Sequence, residues 1–319
     1  MTRIAIIGTG VIGTGWAARL LANGHQVSVW DPSPQFGERI TATIERLWPT
    51  LERLGITEGA SRENLEISET LEAACAGADF VQESAPENLE IKRELHAEID
   101  RAAPATAIVA SSSSGLLPTD IQSATEHPER FLIGHPFNPV YLLPLVEIVC
   151  GEQTDPASIE KAKTFYASLG MHPLIVRKEI EGYLSDRLQE ALWREALHLV
   201  NDDIATTEEL DDAIIYGPGL RWAIMGTCLT FHLAGGESGM RHMLRQFGPA
   251  LKLPWTKLEA PELTESLIDK MVEGTAAQAG DRSIGELEKL RDDCLIDIMN
   301  ALHKYQTGAG ALLNKSGET

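Results

Sequence analysis

Basic residues are in short supply in this sequence. It has 27 Lys and Arg against 47 Asp and Glu, a formal net charge of -20 at pH 7. Nucleic acid and anionic membrane both need basic patches, so neither is expected as a partner. The acid excess either serves solubility alone or steers a cationic ligand toward the protein. Cysteine is rare too. Cys75, Cys150, Cys228 and Cys294 lie far apart with no metal-ligand spacing, so no metal and no disulfide framework are expected. No apolar run is long enough to span a bilayer. Met1-Thr2-Arg3 leads directly into an apolar strand pattern without a signal-peptide cleavage region, so a reduced, cytoplasmic protein is expected. Aromatics amount to 6%. The 319 residues suffice for two domains and a substantial core.

Against that background, the first thirty-one residues form a connected pattern. The strand-like Ile4-Ala5-Ile6-Ile7 runs into Gly8-Thr9-Gly10-Val11-Ile12-Gly13, then a helical stretch from Thr14 closed by Asn23-Gly24, then a strand from Val27 ending in Asp31. In this order a glycine at position 8 permits the tight turn, Gly10 lets backbone approach a pyrophosphate, and Gly13 lets helix and strand pack closely. Free N–H groups at the helix start face the pyrophosphate. Asp31 is placed for the hydroxyls of an adenosine ribose. It would repel a 2′-phosphate, and Pro32-Ser33-Pro34 supplies no arginine for one, so NAD is favoured over NADP.

Residues 35–55 have a helical pattern with Ile40, Ile44, Leu47, Leu51 and Leu54 on one face. Pro49 is expected to kink or divide it into a helical pair inserted in the nucleotide fold. Strand and helix signals then alternate: strands at 65–67, 79–83 and 107–110, helices at 69–76 and from an Asn88 cap to Ala102. This predicts a parallel sheet. Phe131-Leu132-Ile133-Gly134 is a further buried strand, so His135, followed by Pro136, is expected where that strand ends. Twelve residues on, Glu147 interrupts the apolar run Leu145 to Val149, a position costly for an unpaired carboxylate. The two residues read either as a core histidine and an edge-strand glutamate or as partners at a site. Gly8, residues 84–87, Ser111 to Ser114 and His135 all follow strands and should converge on one sheet edge, which favours the site. A helix at 155–169 and a strand at 173–176 close this region. Beyond Asp186 the pattern is helical throughout, with segments near 186–200, 207–216, 222–234, 237–246, 263–279 and 284–305, before a tail expected to fray.

These motifs together resemble the 3-hydroxyacyl-CoA dehydrogenase family: G-T-G-V-I-G at 8–13, E-S-A-P-E-N-L at 83–89, A-S-S-S-S at 110–114, G-H-P-F-N-P at 134–139, L-V-E-I at 145–148 and E-G-Y-L-S-D-R-L at 181–188. The resemblance implies an α/β fold: a Rossmann-type NAD-binding domain (residues 1–182) with a helical insertion, then an all-α domain (183–319) for substrate and dimerisation. It implies that His135 is a general base, Glu147 its orienting partner, and Ser114 a hydrogen-bond donor to the reacting oxygen. Glu87 and Lys92 line the NAD site, and Asn138 lies beside the nicotinamide. The chain departs from the family at Asp186, where an asparagine is usual; a carboxylate cannot donate as an amide does, which argues for a substrate other than acyl-CoA. Asp186 has capping-box spacing as well, so it reads as a helix cap, a substrate contact or both.

Further stretches (193–202, 204–209, 219–222, 234–242, 246–249) are similar to the branch of the family that oxidises carnitine, so a small cationic, carnitine-like substrate and a homodimer are expected. Tyr141 is the candidate aromatic face for the cation. Trp193 and Trp222 read as core, and Arg187, Arg221 and Arg241 are the candidates for the substrate carboxylate. A hydroxyacyl-CoA or sugar-acid dehydrogenase, and a non-catalytic NAD-binding protein, are the alternatives.

Overall fold

The computed structural model describes residues 2–202, 204–222, 225–256 and 264–306. The chain divides into two compact units, residues 1–188 and 189–319. The first is built on eight strands: β1 (Arg3–Ile7), β2 (Gln26–Trp30), β3 (Leu65–Ile67), β4 (Phe80–Glu83), β5 (Ile108–Ser111), β6 (Phe131–Pro136), β7 (Leu145–Val149) and β8 (His172–Val176). They form one sheet in the order β3-β2-β1-β4-β5-β6-β7-β8. The order reverses at β1, which is flanked by β2 and β4. A crevice opens at such a switch point, and ligands enter there in doubly wound folds.

The inner strands are largely apolar because both faces are covered. Helices α1 (Val11–Ala22), α2 (Phe36–Leu54), α3 (Leu71–Cys75), α4 (Leu89–Ala102), α5 (Pro118–Gln122) and α6 (Pro156–Ser168) divide two cores between them. Alternation along β6 and β7 sends Leu132, Val146 and Ile148 into one core and Ile133 and Val149 into the other. Asn88 caps α4, its side chain accepting from Ile91 N. Pro49 does not divide the predicted helical pair: α2 is one helix with the proline inside it. The lost backbone bond is outweighed by burial of Ile40, Ile44, Leu47, Trp48 and Leu51 on one face.

One pairing departs from the parallel expectation. β6 and β7 are antiparallel, with His135 directly opposite Glu147. Only residues 137–144 join them, too few for the crossover a parallel pair requires. Arg19, buried in the last turn of α1, anchors this connection. It donates to Val140 O (2.7 Å), Leu143 O (3.1 Å) and Leu169 O (3.1 Å). The Asn138–Pro139 peptide bond is cis.

Helix α7 (Ser185–Asn201) begins in the first unit. The second unit continues with α8 (Thr207–Ile215), α9 (Pro218–Trp222), α10 (Thr227–Ala234), α11 (Gly239–Phe247), α12 (Glu265–Ala279) and α13 (Ile284–His303). No strand occurs among its described residues. The segment expected as a helix over 222–234 starts only at Thr227, after the extended Gly226. Capping boxes at Thr206/Glu209 and Ser283/Glu286 start α8 and α13. Trp193 and Trp222 are not core as expected; they are 59% and 38% exposed. Their helical spacing matched an apolar face, but spacing does not say whether a face is covered within the chain. The expected frayed tail lies outside the described residues.

Candidate active site

The glycine loop has the shape of a dinucleotide cradle. Gly8 sits at φ +93°, open to glycine at little cost, and a β-carbon there would lie 2.7 Å from Ser84 O. A β-carbon on Gly13 would meet Gly8 O at 1.9 Å, so the helix can start this close to the strand only with glycine. A β-carbon on Gly10 would point into open space, where the backbone is clear for a ligand. Gly10 also caps α1 without any side-chain bond, leaving the first-turn N–H groups to an anion. Asp31 is at the end of β2. Its Oδ2 accepts from Thr9 N (2.7 Å) and Thr9 Oγ1 (3.1 Å), and its Oδ1 from Ser33 N and Oγ. Burial raises its pKa, but the Ser33 and Thr9 bonds outweigh this and hold it below the ordinary value. The two hydroxyl donors can rotate away in favour of ribose hydroxyls while the backbone donors stay. These residues fit NAD.

His135 is held from both sides. Its Nδ1 lies 2.9 Å from Glu147 Oε2, and its Nε2 lies 3.6 Å from Asp186 Oδ2. The other oxygen of Glu147 accepts from Leu184 N, Ser185 N and Ser185 Oγ at 3.1–3.2 Å. Glu147 therefore closes the N-terminus of α7 as well as binding the imidazole. Burial pushes its carboxyl pKa up, but bonds from His135 and from the helix N–H groups prevail and lower it. An ionised carboxylate only accepts, so the imidazole presents its Nδ1–H to Glu147, and in the neutral ring this leaves the lone pair on Nε2. Gly182 and Tyr183, at φ +71° and +45°, turn the chain so that these N–H groups reach Glu147. For a tyrosine this is an uncommon conformation. The phenol is buried, donates to Leu116 O at 2.8 Å, and is driven upward in pKa by that burial. The rings of Phe137 and Tyr183 meet the imidazole edge-on at 5.0 and 5.4 Å.

The serine run is fastened by Glu87. Its Oε1 accepts from Ser113 Oγ (2.6 Å), Ser114 N (3.0 Å) and Gly115 N (2.9 Å). Beneath it lies a wholly buried cluster that the sequence reading missed. Glu83 accepts from Lys92 Nζ (2.8 Å) and Ser111 Oγ (2.5 Å) and meets His96 Nε2 at 2.9 Å. Burial would raise Glu83, but the His96 and Lys92 partners hold it down at about 2. The available signal was Lys92 and His96 one turn apart on α4, facing an acid at a strand end.

Of the expected residues, the structure brings His135, Glu147 and Asp186 together and joins Glu87 to the serine loop. Asp31 reaches the glycine loop through Thr9. Ser114 and Asn138 are exposed. Lys92 is placed differently from expectation: its ammonium is buried against Glu83, 3.7 Å from Glu87 Oε2. Asp186 lies in the first turn of α7, and Glu147 accepts from the backbone N–H groups of Leu184 and Ser185 at the start of that helix. Tyr141 is half-buried against the first core. Arg39, which sequence reading did not connect with the cofactor loop, donates to Ser33 Oγ and Pro34 O, both at 2.6 Å. Among the arginine candidates, Arg187 donates to Glu181 O and Arg241 pairs with Asp269. A second polar network underlies β6: Tyr166 donates to Gln82 Oε1 (2.6 Å), and Gln82 Nε2 donates to Gly134 O (3.2 Å) and Ser112 Oγ (2.8 Å).

Residues 3–180 match the model of the 3-hydroxyacyl-CoA dehydrogenase NAD binding domain. The chain belongs to the 3-hydroxyacyl-CoA dehydrogenase family. Residues 182–280 match the C-terminal domain of the same family. It is 58% identical over 298 residues to an L-carnitine dehydrogenase of Pseudomonas sp, covering 93% of each chain. To the L-carnitine dehydrogenase of Oceanobacillus iheyensis it is 56% identical over 305 residues, 96% of this chain and 99% of that one. Among solved structures, 5-formyl-3-hydroxy-2-methylpyridine 4-carboxylic acid 5-dehydrogenase, an NAD+ dependent dismutase, superposes with a TM-score of 0.74 at 27% identity, covering 95% of this chain and 99% of that one.

Proposed function

We propose that this protein oxidises the secondary alcohol of L-carnitine to 3-dehydrocarnitine with NAD. The observation that carries the reaction is the imidazole fixed through Nδ1 by Glu147, which leaves Nε2 directed away from that partner. The substrate follows from relatives named L-carnitine dehydrogenase that match nearly the whole chain. His135 takes the hydroxyl proton on Nε2, and the ionised Glu147 stabilises the imidazolium that results. Ser114 donates to the reacting oxygen. Bound NAD supplies the hydride acceptor. Gly8 to Gly13 hold its pyrophosphate, Asp31 its ribose, and Glu87 and Asn138 lie toward the nicotinamide; Lys92 supports that side through Glu87. Asp186 contacts the substrate. Of the aromatic rings, Phe137, half-buried and 5.0 Å from the imidazole, is better placed than Tyr141 for a cation bound there.

In this reading residues 1–182 hold the nucleotide, and 183–319 serve substrate and a second copy of the chain. A homodimer is supported by α7, where Leu188, Leu192, Trp193 and Leu197 are each about half exposed or more. No described helix is long and apolar enough to cross a membrane, which is compatible with a cytoplasmic site.

The test is NADH formation with L-carnitine, with hydroxybutyryl-CoA and with free hydroxy acids. Turnover of L-carnitine above the others is expected, and a preference for the acyl-CoA ester would replace this reading. His135→Ala should abolish turnover and preserve NAD binding.

A further inference from the structure

Asp186, the position at which the chain departs from its family, stands beside the reactive nitrogen of the imidazole. We propose that Asp186 distinguishes the two charged arms of carnitine and thereby sets which enantiomer is oxidised. The inference rests on the carnitine reading above.

Glu147 occupies Nδ1, so the substrate hydroxyl has only Nε2 to bond. Asp186 Oδ2 lies 3.6 Å from that same nitrogen. Its side chain is 32% exposed where that of His135 is 5%, so the carboxylate lies on the solvent side of the base. The carbinol carbon of carnitine bears four groups: hydroxyl, hydrogen, a methylene carrying trimethylammonium and a methylene carrying carboxylate. Oxidation removes the hydroxyl proton to Nε2 and the carbon-bound hydrogen, as hydride, to NAD, and leaves a C=O bond. Those two hydrogens fix two of the four groups. The two arms remain, and inverting the carbon exchanges them.

The arms are similar in reach. In each, the charged group is one methylene from the carbinol carbon, about 4 Å or less from the hydroxyl oxygen. Whichever arm is on the Asp186 side therefore comes into range of its carboxylate. A quaternary ammonium has no N–H to donate, so a polar partner recognises it through its charge, and a carboxylate serves this better than an amide. With the arms exchanged, the substrate carboxylate would face Asp186 as a like charge. An acid in the first turn of α7 is also favourable to the helix dipole. That role alone would affect melting temperature and leave the enantiomer ratio unchanged.

The experiment compares wild type, Asp186→Asn and Asp186→Glu with three substrates. These are L-carnitine, D-carnitine and the neutral carbon isostere in which a tert-butyl group replaces trimethylammonium. Steady-state rates are paired with calorimetric binding of both enantiomers to protein without added NAD. Wild type should use L-carnitine at least about tenfold better than the isostere. Asp186→Asn should raise the KM for L-carnitine about tenfold or more, with a smaller change in kcat, and lower the L-to-D ratio by a similar factor in both turnover and binding. Asp186→Glu, which keeps the charge, should retain the preference. An unchanged L-to-D ratio in Asp186→Asn overturns the proposal while the carnitine reading stands. Equal use of the isostere by wild type overturns it as well and needs no variant to fold. Failure of wild type to oxidise L-carnitine overturns both.

Discussion

Glu147 Oε2 lies 2.9 Å from His135 Nδ1, across a directly opposed pair of antiparallel strands. The same carboxylate closes the start of α7 through its other oxygen. One side chain thus joins the imidazole to the helix that carries Asp186. The geometry of the imidazole and the position of its acidic neighbour are set together.

Glu147→Gln should leave the fold in place, because an amide oxygen can still accept from the α7 N–H groups. It removes the charge that fixes the Nδ1 proton and stabilises the imidazolium. kcat should fall by roughly 10²–10⁴ with NAD binding unchanged. Steady-state rates beside a fluorescence titration with NADH check this; a kcat within a few-fold of wild type would reject the assigned role.

The buried Glu83 should govern acid stability. Its ordinary pKa of 4.5 is lowered to about 2 in the folded protein. A carboxyl with a depressed folded pKa contributes its stability fully above the unfolded value, and that contribution is lost as pH falls from about 4.5 toward 2. The loss amounts to about 3 kcal/mol. Glu147, Asp100 and Asp31, also lowered, act in the same direction. Urea midpoints measured from neutral pH down should drop through this window. Glu83→Gln, which leaves the Lys92 ammonium buried without its charge partner, should cost roughly 3–5 kcal/mol at neutral pH and flatten the acid limb.

Gly134→Ala should destabilise the strand that carries His135. An added β-carbon would lie 1.9 Å from the Tyr166 hydroxyl oxygen and 2.7 Å from its ring carbon Cζ. Backbone or ring must shift, at a cost of about 1–3 kcal/mol. Tyr166→Phe removes the nearer atom but forfeits the bond to Gln82. The double variant should therefore be more stable than the sum of the two single losses predicts, a coupling that thermal melts of all four proteins would measure.

Asp31→Ser should relax the choice of cofactor. The acid that repels a 2′-phosphate is gone, and Arg39 already reaches Ser33 beside it. The KM for NAD should rise about tenfold or more while that for NADP falls. Adding Arg39→Ala should cancel the gain with NADP. Coenzyme titrations of the three proteins check both steps.

The nucleotide site was legible because its signals are local. A strand, a glycine turn, a helix start and a terminal acid occupy thirty-one consecutive residues, and each constrains its neighbours through backbone geometry alone. His135 and Glu147 stood out because polar residues in apolar strands are costly unless paired. The Glu83 cluster was hidden for the opposite reason. Glu83 ends its strand, where an acid is unremarkable, and Lys92 looks like any exposed lysine of an amphipathic helix. Only burial of that helix face against β4 and β5 shows the ammonium to be internal.

The amino-acid order by itself determined the alternation of strands and helices, the glycine cradle, the preference for NAD, and the two residues of the central pair. Tertiary structure decided three other matters. It made β6 and β7 antiparallel, since their connection is too short for a crossover, and this set Glu147 opposite His135. It used the second oxygen of Glu147 to start α7, which placed Asp186 beside Nε2 as well as in a helical turn. It also left Trp193 and Trp222 exposed where periodicity suggested a core. Periodicity identifies an apolar face, but what covers that face depends on contacts between segments distant in the chain.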